Sequence, residues 1–188
     1  KRRRRSTARQ SKEFPTALQA YREALEIPFS GNPGVRNNMA WFLANCPDKR
    51  FCNTAQAIEL AAQAVKLAPD NAGYWNTLGT AQYRGGQWKA AIESLEKSNK
   101  LGSGGDSLNF FFLAMAQWQL GRKDKAGQWY DQGVAWIEKN KPKSVQHQQA
   151  RAEADQLMGS VRVRGSSGRR DDPGPHWKKA AHASHAAL

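Results

Sequence analysis

The chain has 188 residues, 39% of them hydrophobic, which is enough for one ordinary domain with a real core and tails. No run approaches the roughly 18 consecutive apolar residues of a membrane helix, and no apolar segment follows the basic start KRRRRSTARQ, so neither a membrane span nor a signal peptide is expected. Of the +13 formal charge, residues 1–10 carry +6 and residues 161–188 carry +4, so 13 less 6 less 4 leaves +3 for the middle and removes charge as the hallmark of the folded part.

Residues 1–12 are polar, charged and aperiodic, and are read as a basic disordered leader. The run KRRRR beside Ser6 has the clustered charge of a phosphate-binding, targeting or kinase-substrate segment, but a solvated leader accounts for it. The chain starts at Lys1, as expected of a fragment or a trimmed product. From Phe14, the positions Ala17, Ala20, Tyr21, Ala24 and Leu25 recur three and four apart, which predicts a helix over 14–28. It reads as the second half of a helix pair whose first half lies upstream.

Ser30 to Gly34, SGNPG, is a break, and NNMAWFLAN opens the next helix. Ala40 to Ala57 spans 17 residues, whereas Gly79 to Ala91 and Ala114 to Ala126 each span 12, so five extra residues lengthen the turn CPDKRFCNT. Asn53 or Thr54 caps the helix after it. The two cysteines of the chain, Cys46 and Cys52, lie in that turn; they are too few for a disulfide scaffold and fit a reducing, cytoplasmic setting. With no second cysteine or histidine pair nearby, they do not make a metal site.

Pro69-Asp70-Asn71 ends one helix pair and caps the next, Gly85-Gly86 turns the middle pair, and Gly121 turns the last. GSGGD, residues 102–106, follows a helix instead of a strand and lacks a downstream lysine and hydroxyl, so it is a linker with Asp106 as a cap. SLNFFFLAMAQWQL is apolar on nearly every side, which predicts one buried face and one apolar patch. Its partner covers roughly 123–140, and a polar helix over 145–158 closes the domain with Val145, Ala152 and Leu157 on its apolar side. Residues 160–188 are read as a disordered basic tail, and His176, His182 and His185 there have no ordered surroundings to build a metal site.

The segments superimpose: Ala57, Ala91 and Ala126 are separated by 34 (91 − 57) and 35 (126 − 91) residues, the period of a two-helix solenoid repeat. Trp75, Leu78, Gly79, Tyr83, Ala91 and Leu95, followed one period later by Phe110, Leu113, Ala114, Ala126 and Tyr130, resemble the tetratricopeptide repeat. The resemblance implies an all-α, right-handed superhelical solenoid of antiparallel helix pairs over 13–159, with a half repeat at 14–28, repeats at about 35–69, 72–101 and 107–140, and a capping helix at 145–158. NNMAWFLANCPDKR, YWNTLGTAQYRGGQWKAAIESLEKS and FFFLAMAQWQLGRKDKAGQWYDQ are also similar to the repeat region that follows the kinase domain in large bacterial serine/threonine kinases, notably of planctomycetes.

In such a fold Gly79, Ala40 and Ala114 let helices approach while Trp75, Leu78 and Leu95 fill the space between them. The residues expected to line the concave face are Asn37, Trp41, Asn45, Asn76, Thr80, Tyr83, Arg84, Phe111, Met115 and Trp118, a groove for an extended peptide. Some family members grip chaperone carboxylate ends with lysines, asparagines and an arginine; the corresponding positions here include Trp41, Thr77, Leu108 and Phe112, so that clamp is largely missing. Trp118, Trp129 and Trp136 recur at helical spacing and are read as packing residues.

No serine, histidine and acid arrangement and no kinase catalytic loop occurs, and the expected function is a non-enzymatic protein-protein interaction scaffold without a cofactor. Its expected partner is a protein or peptide. The apolar surfaces of the first helix and of Phe110 to Phe112 also favour self-association. The alternative is binding of nucleic acid or an anionic surface through the basic ends.

Overall fold

The computed structural model describes residues 31–46, 48, 50–102, 105–140 and 144–165, together with Gln19 and Glu23, with side chains described as far as residue 159. The expected leader, residues 1–12, therefore lies outside the described residues, as does the expected tail from residue 166 onward, whereas residues 160–165 of that tail are helical. Of the half repeat expected at 14–28, only Gln19 and Glu23 are described; both are helical, and the Gln19 amide donates to the Glu23 carboxylate at 2.9 Å. The described residues hold seven α-helices and no strand: α1 Pro33–Asn45, α2 Thr54–Leu67, α3 Ala72–Arg84, α4 Trp88–Leu101, α5 Ser107–Gln119, α6 Lys123–Asn140 and α7 Val145–Gly165. The chain divides into two compact units, Lys1–Gly105 and Asp106–Leu188, which are taken in turn.

Polar side chains cap the starts of α1, α2, α3 and α5. Asn53, Asn71 and Asp106 each accept a hydrogen bond from the backbone N–H three residues on, at 3.0, 3.3 and 3.1 Å. Asn32 caps α1 by accepting from Gly34 N–H at 2.8 Å, so this helix begins at Pro33, earlier than the sequence pattern predicts, because proline is well placed in a first helical turn.

Two turns are alike in detail. Gly86 and Gly121, 35 residues apart (121 − 86), both have φ of 75°, a conformation in which glycine meets no Cβ penalty. In each turn three successive N–H groups, from Gly85 to Gln87 and from Leu120 to Arg122, return to carbonyls of the preceding helix.

In the first unit α1–α2 and α3–α4 are hairpins, with α3 packed on both helices of the first pair. Met39, Ala40, Leu43, Ala57, Leu60, Ala61, Val65, Leu78 and Ala81 form its core, against which Phe42, Ile58, Tyr74 and Trp75 are half-buried. Small residues recur at helix contacts because each removed side chain lets two backbones draw together. Trp75 departs from the expected full burial: its ring lies at the core's edge and its indole N–H donates to the Pro69 carbonyl at 2.7 Å, since an indole tip needs a polar partner. Side chains also bind hairpin partners, with Arg36 donating to Gln63 at 2.8 Å, Ser94 to Gln82 at 2.7 Å, and Ser98 to the Ala72 carbonyl at 2.8 Å.

The α1–α2 turn corrects the reading of the cysteines. Cys46 and Cys52 are joined in a disulfide, with their Cα atoms 5.7 Å apart. Six residues of separation concealed this in the sequence, because proximity depends on how the turn folds back. A reducing setting, expected because the cysteines number only two, gains no support from this turn.

In the second unit α5 and α6 form a hairpin and α7 packs on α5 and, over a smaller contact, on α6. Phe110 stacks on Trp129 with centroids 5.9 Å apart, and Phe111 meets the edge of Tyr130 at 5.7 Å. The α7 face differs from expectation: Ala150 and Ala154 are buried with His147 half-buried beside them, whereas Val145 is 62% exposed and Ala152 is exposed. Positions 147, 150 and 154 follow the three-and-four rhythm of one face, and alanine there permits close approach. The helix also runs on to Gly165, past the expected end at 158.

Candidate peptide-binding surface

The first helices of the two hairpins in the first unit, α1 and α3, are neighbours. On α1, the core side is taken by Met39, Ala40 and Leu43, which leaves Asn37, Trp41 and Asn45, spaced by four, on another side and half-buried. The Asn45 amide donates to the Trp41 carbonyl at 3.1 Å, which fixes the end of this row. Oδ1 of Asn37 is buried and has no hydrogen-bond partner among the described residues. On α3, Asn76 and Tyr83 are half-buried and Arg84 is exposed, its guanidinium 5.8 Å from the Tyr83 ring centre.

Charge is distributed one way. Neither α1 nor α3 contains an acidic residue, and their charged side chains are Arg36 and Arg84. The acids described in this unit beyond residue 30, Asp48, Glu59, Asp70, Glu93 and Glu96, all lie on α2, α4 or the turns.

Three of the expected groove residues are elsewhere. Thr80 is fully buried, because α3 is enclosed by α1, α2 and α4 and its whole stretch from Thr77 to Ala81 is buried. Phe111 and Met115 are fully buried too, since Ser107 to Gln117 of α5 has no open side. Phe111 faces Gly133 and Tyr130 of α6. The apolar patch expected at Phe110 to Phe112 is thus covered, and it offers no surface for self-association. Trp118 remains half-buried, with the Lys123 ammonium 5.6 Å from its ring centre.

One pairing across 40 residues escaped the sequence. Ser107 Oγ lies 2.5 Å from His147 Nδ1, and the His147 ring stacks on Trp136 at 5.3 Å. Ser107 is fully buried, so this contact ties α7 to α5 and gives a substrate no access. No group of three or more metal-ligating side chains occurs among the described residues, and none of the described helices is long and apolar enough to cross a membrane.

Residues 53–105 match one tetratricopeptide repeat family model and residues 109–140 match another. Over those residues the chain carries tetratricopeptide repeats. These two matches take in α2 to α4 and α5 to α6. The crystal structure of MamA is similar with a TM-score of 0.58 and 19% identity, over 95% of this chain and 92% of that one. A second, the crystal structure of MamA protein, has a TM-score of 0.56 and 19% identity over 97% and 92%. At that identity the likeness shows the all-helical repeat fold. No curated protein matches the sequence. Such repeats are typical of protein-protein interaction scaffolds, and neither the repeat matches nor the fold carries the narrower likeness to kinase-linked regions.

Proposed function

We propose that the surface of α1 and α3 takes up an extended peptide of neutral or acidic character, from another protein or from the same polypeptide. The observation that carries this reading is the row of asparagine and aromatic side chains on two adjacent helices that hold no acid. Asparagine amides pair with both N–H and C=O of an extended backbone, and rings supply contact area at small entropic cost. Arg84 and Arg36 bias the field toward carboxylates.

Selection from a peptide library of equal-length acidic, neutral and basic members tests it. Neutral and acidic sequences should be enriched, and the paired change Asn76→Ala with Tyr83→Ala should abolish their capture at an unchanged melting temperature. Enrichment of basic peptides, or full capture by that variant, overturns the reading. In its finer form the scaffold regulates a kinase in the cytoplasm, where the Cys46–Cys52 bond would be transient. The basic ends supply the alternative, an anionic surface or nucleic acid; its mark is a steep salt dependence that disappears when residues 1–10 are removed.

A further inference from the structure

Side chains seat α7 on the α5–α6 hairpin at two places. Ser107 Oγ, at the start of α5, lies 2.5 Å from His147 Nδ1, and the same imidazole stacks on Trp136 of α6. Further along, the Tyr130 hydroxyl of α6 donates to the Asp155 carboxylate. From one place to the other α6 falls by six residues (136 − 130) while α7 rises by eight (155 − 147), about 9 and 12 Å along the two axes. The last helix therefore runs against α6 and in the direction of α5. Between the two places, Ala150 and Ala154 are the buried residues among the described side chains of α7.

These contacts define what the hairpin accepts. Alanines four apart let the α7 backbone approach α5, whose stretch from Ser107 to Gln117 is buried throughout, and a larger side chain at either position meets a packed surface. The hydroxyls of Ser107 and Tyr130 and the Trp136 ring set the register. All three belong to the hairpin, so any helix that presents His147, the two alanines and Asp155 satisfies them, whichever chain it comes from. Every copy of the chain carries one. No described element follows α7, so it leaves the hairpin without drawing another described helix with it.

We propose that two copies of this chain associate by exchanging α7, each helix docking on the α5–α6 hairpin of the other through the Ser107–His147 and Tyr130–Asp155 contacts. The closed chain keeps α5 covered, so association goes through the exchange and not through an open apolar patch. Because the exchanged contacts are those of the closed chain, the two forms differ little in contact energy and concentration decides between them. A tethered helix acts at an effective concentration on the order of 1 mM, which the second copy has to match. The inference involves neither α1 nor α3 and stands without any peptide bound there.

The test uses the full chain and a fluorescent peptide of residues 144–165. A chain carrying His147→Ala and Asp155→Ala, which loosen its own α7 and leave the hairpin side intact, should capture the peptide about tenfold or more tighter than the parent, whose site is filled. A peptide with Ala150→Gln and Ala154→Gln should be captured by neither chain. Refolded from denaturant at about 1 mM, the parent should sediment as a dimer that returns to monomer on dilution and a second refolding, while the full chain with the two glutamines stays a monomer. Equal capture by both chains, capture of the glutamine peptide, a monomer mass after the concentrated refolding, or a dimer that persists with the glutamines would each overturn the proposal. Loss of near-ultraviolet circular dichroism in the loosened chain would overturn it too, because it makes α7 part of what folds the hairpin.

Discussion

A Cβ placed on Gly79 would stand 2.6 Å from Cγ of Leu95 and 2.9 Å from its Cδ2, closer than two such carbons pack. The Ala91 carbonyl lies 3.2 Å from the same point, and Leu95 is fully buried. This contact sets the spacing of α3 and α4.

Gly79→Ala places helix propensity against that contact. Alanine gains about 1 kcal/mol in a helix interior over glycine, while an extra carbon in a packed core typically costs about 1–3 kcal/mol. With Leu95 hemmed in by its burial, the clash should prevail and lower stability by about 1–2 kcal/mol in denaturant titration. Leu95→Ala alone should cost about 2–5 kcal/mol, and the double change less than the two added together, because the second removes what the first collides with. Additive losses would mean that the two residues do not share this contact.

Gly133 stands in the same relation to Phe111 in the second unit, with the ring's Cε1 and Cζ 2.8 and 2.9 Å from a Cβ. A ring wedged against Tyr130 has little room to turn, so Gly133→Ala should destabilise by about 1–3 kcal/mol and Phe111→Ala by about 3–5 kcal/mol. Near-ultraviolet circular dichroism should report the disturbed aromatic packing. A neutral Phe111→Ala would return this ring to the surface position expected from sequence.

Tyr130 ties stability to alkaline pH. Burial chiefly, and then its hydrogen bond to the Asp155 carboxylate and that group's charge, raise its pKa above the ordinary 10.0, with Arg151 acting weakly the other way. A folded-state value above the unfolded one means that the neutral phenol's contribution is full below about pH 10 and is lost as pH rises through the raised value. Melting temperature should therefore fall more steeply above pH 10 in the parent than in Tyr130→Phe, which has no proton to lose. Parallel curves would show that the phenol keeps its proton equally well when unfolded.

The features legible in the sequence are those set by near neighbours along the chain. The turn glycines Gly86 and Gly121 and the caps Asn53, Asn71 and Asp106 act within a few residues of themselves, and Leu78, Ala91 and Leu95 keep the rhythm of a helix face. Thr80, Phe111 and Met115 obeyed that rhythm equally well yet are buried. Periodicity names the faces of a helix, but it does not say how many of them another helix will cover.

The period of 34 to 35 residues, the helix pairs and the small residues at their contacts were thus determined by the sequence alone, because backbone hydrogen bonding and side-chain size are local properties. Tertiary structure alone decided that Ala150 and Ala154 face inward, that Ser107 meets His147, and that Cys46 reaches Cys52. Each of these depends on where the chain returns after a turn, which is fixed by the packing of whole helices against one another.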